Sequence, residues 1–134
     1  MTRTRNTNDP RGDDDDYGVI RSSRKYRLAP RVKDRGVSKT VARGGAPLRR
    51  PGGVLHRRSS GTKCGRVRRV RSNGVIITTM APRRGDSGGP LFHPIRGTRR
   101  VAALGIVDGT DGRRGYHQRL REVLREDDLR LRTA

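Results

Sequence analysis

Asn73-Gly74 stands directly before Val75-Ile76-Ile77-Thr78-Thr79-Met80. An Asn-Gly pair takes the positive φ angles of a tight hairpin turn, and the β-branched run behind it fits a pleated strand. The spaced apolar residues Cys64, Val67 and Val70 lie on the other side of this turn. Leu91-Phe92 reads as a further short strand, and Val101 to Val107 as a buried strand closed by Asp108-Gly109. Short strands separated by glycine turns call for an antiparallel sheet or barrel. The period changes only near the end. Leu120, Val123 and Leu124 fall at i, i+3 and i+4, which predicts a short helix over 118–126 with a solvated face of alternating arginine and glutamate. Leu129 and Leu131 then alternate with arginines, as a terminal strand would.

Residues 1–53 read differently. Apolar residues are scattered, Asp13 to Asp16 form an acidic run, and the stretch from Arg21 to Arg50 is basic. Neither a two-residue nor a 3.6-residue period persists, and such a composition buries too little surface to offset chain entropy. The expectation is a disordered or low-structure basic arm over 1–53, followed by one β-domain over 54–134. The whole chain is only 29% apolar and carries a formal charge of +20. Such a field attracts polyanions, so nonspecific binding to nucleic acid or another acidic surface is expected, but Tyr17 and Tyr26 form no recognised stacking platform. The single cysteine, Cys64, excludes an intrachain disulfide, and neither an export signal nor a membrane-spanning run is read. No cofactor and no metal is expected, and neither a compartment nor an oligomeric state is assigned.

The chemistry concentrates in Gly85-Asp86-Ser87-Gly88-Gly89-Pro90, followed by Leu91 and Phe92. A serine hydroxyl is a poor nucleophile at neutral pH and needs a base, while the tetrahedral oxyanion needs donors. Glycines around Ser87 allow a sharp bend and close approach to a substrate carbonyl, and the N–H groups of Gly85 and Ser87 are placed to serve as an oxyanion hole.

This string resembles the nucleophile loop of chymotrypsin-like serine peptidases. Further stretches are similar to the bacterial streptogrisin and α-lytic type: Val54 to Gly61 with Cys64-Gly65-Arg66-Val67, Val101 to Gly109, and Tyr116 and Gln118 with the helix that follows. The resemblance covers about 80 residues, the second barrel and terminal helix. It implies an all-β antiparallel fold, half of a double barrel. It also implies Ser87 as nucleophile, Gly85 and Ser87 as oxyanion-hole donors, and Asp86 as a buried support of the loop. Ile106, Val107, Asp108 and Gly109 become the edge that pairs with a peptide or protein substrate, and Met80 to Arg84 the lining of a specificity pocket.

The family's upstream histidine and aspartate have no match. His56 belongs to the second-barrel segment, and His93 and His117 read as surface or turn residues. Asp9, Asp13 to Asp16 and Asp34 sit in polar, strandless context. Relatives often pair a cysteine at the place of Cys64 with one at Met80 or Ala81, and carry serine at the place of Asp108. The reading is a serine endopeptidase homologue, incomplete and inactive as this chain, with truncation or a shifted frame as the explanation. A non-catalytic peptide-binding module and a cationic nucleic-acid-binding protein are the alternatives.

Overall fold

The computed structural model describes residues 2–6, 16–20, 23, 25, 27–45, 54–58 and 61–134, and of 2–6, 16–20 and 54–58 only their place in strands. In chain order the strands are β1 (Thr2–Asn6), β2 (Asp16–Ile20), β3 (Arg31–Asp34), β4 (Val37–Gly44), β5 (Val54–Arg58), β6 (Gly61–Gly65), β7 (Val67–Val70), β8 (Val75–Thr78), β9 (Pro90–Pro94), β10 (Arg100–Thr110) and β11 (Gly115–Arg119). A single helix, α1 (Leu120–Glu126), follows β11. β1 and β2 form a separate antiparallel pair.

A turn forms over residues 71–74, but of the Asn-Gly pair only Gly74 takes the expected positive φ. Gly74 has φ +89°, the Gly74 amide donates to the Arg71 carbonyl at 3.0 Å, and the Val75 amide donates to Asn73 Oδ1 at 3.1 Å. β7 and β8 therefore pair antiparallel. The main sheet runs β6-β5-β9-β10-β11-β8-β7. Its two outer strands are separated in the chain by Arg66 alone, so the sheet must curl until its ends approach. The Thr79 amide donates to the Arg66 carbonyl at 2.9 Å there. No ladder joins β6 to β7 among the described residues, and the half-barrel stays open.

Successive residues of a strand face opposite sides of a sheet, and here both sides are covered. Leu91 and Leu104 face inward to Val67, Ile76 and Met80. Their neighbours Phe92 and Val101 face the other way, onto Val41, Val32, Ala103 and Leu131. That is why Leu91-Phe92 and Val101 to Leu104 are apolar without alternation.

The second core corrects the reading of 31–44 as low-structure. Arg35 (φ +51°) and Gly36 (φ +80°) turn β3 into β4, and β4 lies parallel to the first half of β10, with Thr40 opposite Arg100 and Val41 opposite Val101. From Gly105 onward β11 takes over that edge. A buried Val41 and a partly buried Val32 are too weak a periodic signal to read, and the partners of Val41 on β9 and β10 lie some 50–60 residues downstream. Asp34 is likewise not in strandless context. It ends β3, is 5% exposed, and accepts from Lys39 Nζ at 2.5 Å.

The chain end also departs from expectation. Gln118 and Arg119 belong to β11, opposite Val75 and Gly105, so the helix starts two residues late. Leu129 to Ala134 is not a ladder strand. It runs beside β4, with Leu131 in the second core and the Ala134 amide donating to the Val41 carbonyl at 3.1 Å. Arg119 clasps the Glu122 carboxylate (Nε to Oε2, 2.7 Å), which holds that acid below the usual carboxylate range and the guanidinium above its own. No described helix is long and apolar enough to cross a membrane.

Candidate active site

The loop between β8 and β9 is built by alternate bonding. Asp86 is 2% exposed and its Oδ2 accepts the Arg83 amide at 2.8 Å. The Asp86 amide in turn donates to the Arg83 carbonyl at 3.0 Å, and the Gly89 amide to the Asp86 carbonyl at 3.0 Å. Gly85 and Gly88 take φ of +92° and +81°, which only glycine adopts without strain. The Gly88 amide donates to the Val107 carbonyl at 2.8 Å, and the Val107 amide to the Gly89 carbonyl at 2.9 Å. The amides of Asp86, Gly88 and Gly89 are thus spent inside the protein. Those of Gly85 and Ser87, both on exposed residues, have no acceptor among the described residues.

The same two bonds seat the loop on β10. Ser87 Oγ lies 3.4 Å from the Asp108 carbonyl oxygen, at the long limit of a hydrogen bond. Ser87, Gly85, Asp86 and the Ile106–Gly109 strand are therefore brought together in one place. Beyond Val107, β10 pairs with β11 on one side only, through Gly109 opposite Tyr116 and Thr110 opposite Gly115. A methyl group placed on Gly109 would meet nothing within 4 Å, so the face of the strand is open at this position. The turn that ends it is pinned by Asp111. Its carboxylate accepts the amides of Arg114 at 2.7 Å and Arg113 at 2.9 Å and the Tyr116 hydroxyl at 3.1 Å, which lowers its pKa.

The histidines are not beside the serine. His117, expected at the surface, is fully buried on β11, with Nε2 2.8 Å from Thr78 Oγ1 across to β8. Gly115 makes room for this pair: a Cβ there would stand 2.8 Å from both atoms and 2.1 Å from the Met80 carbonyl oxygen. The Thr78–His117 pair went unread because its residues are 39 apart; the alternation within Gly115-Tyr116-His117 was the available signal. His93 is half-buried on β9. His56 lies on β5 opposite Leu91, and its side chain is outside the described residues, as are Asp9, Asp13 to Asp15, Tyr26 and the side chains of Asp16 and Tyr17. Among the described residues no histidine bonds to Ser87.

Two further expectations resolve locally. Met80 does not line a pocket but packs in the inner core, while Arg83 and Arg84 are exposed. Cys64 is a free, exposed thiol with Arg35 Nη2 at 3.1 Å, and β6 runs beside Met80 and Ala81, the Lys63 Nζ donating to the Ala81 carbonyl at 3.1 Å.

No family model and no curated protein matches the sequence. Solved structures do match. The chymotrypsin of Cellulomonas bogoriensis superposes with a TM-score of 0.70 at 24% identity, over 89% of this chain and 70% of that one. Protease A of Thermobifida fusca gives 0.71 at 24% identity, over 89% and 69%. The Nocardiopsis protease NAPase gives 0.62 at 25% identity, over 80% and 62%. Even 80% of the chain is more than residues 54–134 contain, so the likeness runs into the segment before residue 54. By these superpositions the chain, with its open, curled sheet and terminal helix, has the fold of the bacterial chymotrypsin-like serine proteases.

Proposed function

We propose that this chain is a serine endopeptidase homologue that keeps the half of the site that holds a peptide and lacks the half that ionises the serine. In this reading Ser87 stands at the nucleophile's place, the Gly85 and Ser87 amides receive a carbonyl oxygen, Asp86 fixes the loop, and Ile106 to Gly109 offers the pairing edge. The single observation that carries it is the environment of the Ser87 hydroxyl. Its acceptor is a backbone carbonyl at 3.4 Å, a group that cannot take up a proton at neutral pH. Among the described acids, Asp34 is committed to Lys39 and Asp86 to the Arg83 amide. Peptides would bind in extended form by adding backbone bonds to β10, the mode of strand addition.

Removing the serine–base pair from such a site costs about six orders of magnitude in turnover, leaving about 10³–10⁴ over water from the oxyanion donors and binding. A fluorophosphonate probe reads the remaining activation directly, because it reacts only with an ionisable hydroxyl. The chain and its Ser87→Ala variant are expected to label equally, at background. Labelling of the wild-type chain that Ser87→Ala abolishes would mean that a base is present, and the incomplete-site reading would be wrong.

A further inference from the structure

Two neighbouring features of the loop point to a ligand different from a scissile bond. Within Gly85 to Gly89 the Gly85 and Ser87 amides have no acceptor among the described residues, as is true of the Arg84 amide just before them, while the amides of Asp86, Gly88 and Gly89 are engaged. Alternate amides around a buried residue form a small concave receptor for an anion, of the kind that captures chain-end carboxylates. Arg83 and Arg84, both exposed, precede it on the same turn. They add positive charge that neutral carbonyl binding does not need. Two acids belong to the site: Asp86, buried with its carboxylate bonded to the Arg83 amide, and the half-buried Asp108, whereas the two arginines are exposed to an incoming ligand.

Strand polarity and position agree with that receptor. The loop meets β10 at Val107, and the free edge of β10 begins at Asp108, so a peptide laid antiparallel to β10 on this edge has its C-terminal end at the two open amides. A chain continuing past them would have to leave the edge; a chain ending there leaves its carboxylate on the donors. With no base bonded to Ser87 among the described residues, such a ligand is, in this reading, neither formed nor consumed on the protein.

We infer that the site reads the free C-terminus of peptides: the ligand's last residues pair with Asp108 to Thr110, and its terminal carboxylate accepts from the Gly85 and Ser87 amides under the field of Arg83 and Arg84. This rests on the peptide-edge reading above. The test uses the full chain and three pools of mixed-sequence hexapeptides: free acids with blocked N-termini, C-terminal amides with blocked N-termini, and amides carrying an N-terminal succinyl group. The third pool has the charge of the first at the wrong end. Affinity selection read by mass spectrometry is expected to retain the free acids at least tenfold over both amide pools. The double variant Arg83→Gln/Arg84→Gln, its fold checked by circular dichroism, should lower retention of the acids severalfold and leave the blocked amides unchanged. Equal retention of free acids and blocked amides overturns end-reading and leaves the peptide edge standing. Equal retention of the succinylated amides and free acids overturns it as simple adhesion to a cationic chain. Retention of none of the pools removes both readings.

Discussion

Val41→Ala tests whether the segment before residue 54 is part of the folded body. Val41 is 7% exposed and packs on Phe92 and Val101, at 1% and 0%. The substitution removes two methyl groups' worth of buried surface, about 1.6 kcal/mol at ~0.8 kcal/mol per carbon. Its neighbours are held by ladders: Val101 sits between Val41 and Pro94, and Phe92 between Leu55 and Ala103. They cannot collapse freely into the space, and the cavity raises the cost to about 2–2.5 kcal/mol. Urea unfolding followed by circular dichroism should record that loss as a lower midpoint with an unchanged slope, or a fall of about 6–9 °C in Tm. Leu28→Ala, at a side chain 56% exposed, is the control and should stay within about 0.5 kcal/mol. If Val41→Ala also stays within that range, β3 and β4 do not share the cooperative core, and the low-structure reading of the segment returns.

Three other substitutions probe the site's supports. Gly115→Ala drives a methyl group to 2.1 Å from the Met80 carbonyl oxygen and 2.8 Å from His117 Nε2 and Thr78 Oγ1, and should cost about 3 kcal/mol or prevent folding, read by the same urea titration. Asp86→Ala strips the Arg83 amide of its buried acceptor, a loss of about 2 kcal/mol. Faster hydrogen exchange at the Gly88 and Gly89 amides should accompany it, and unchanged exchange there would mean that Asp86 does not hold the loop. Glu122→Gln should cost about 1 kcal/mol at pH 7. Because Arg119 holds the Glu122 carboxyl below its unfolded value of ~4.3, that stability is complete above this pH and disappears as the pH falls through the lower folded value. Wild type and variant should therefore converge only once the pH has fallen below that lower folded value, and a gap that persists with the carboxyl protonated would assign the effect to packing instead.

What was legible in the sequence was whatever carried its own structural reason. Asn73-Gly74 turns because Gly74 takes a positive φ, and Val75 to Thr78 pairs because the chain on both sides of the turn supplies the partner. Val101 to Val107 read as one buried strand because both of its faces are covered. The loop from Gly85 to Pro90 read as a sharp bend because its glycines need positive φ. Hidden features were those whose reason lies far away in the chain. β4 is set by β10 about sixty residues on, and Val32 and Val41 alone do not outweigh the lysines and arginines between them. His117 sits among polar and charged neighbours and reads as exposed until Thr78 and Gly115 are known to enclose it. Leu131 alternates with arginines as a strand would, yet lies beside β4 without a ladder.

The construction of the loop around Ser87 bears on the proposal that the site binds without cutting. The backbone bonds that shape it among the described residues are made within Arg83 to Gly89 or with Val107, and Ser87 Oγ lies against the Asp108 carbonyl. The bend is therefore folded by the same half-barrel that carries it, and its geometry is independent of whether the serine can be ionised. Selection on turnover and selection on binding act on different atoms here. The first needs a proton acceptor at Ser87 Oγ; the second needs only two unspent amides and an open strand edge. Losing the acceptor lowers the rate by orders of magnitude yet leaves the folding energy of the loop untouched. In the proposed reading the half-barrel binds extended chains without cutting them, provided that Asp86 holds the loop that carries the amides of its two neighbours.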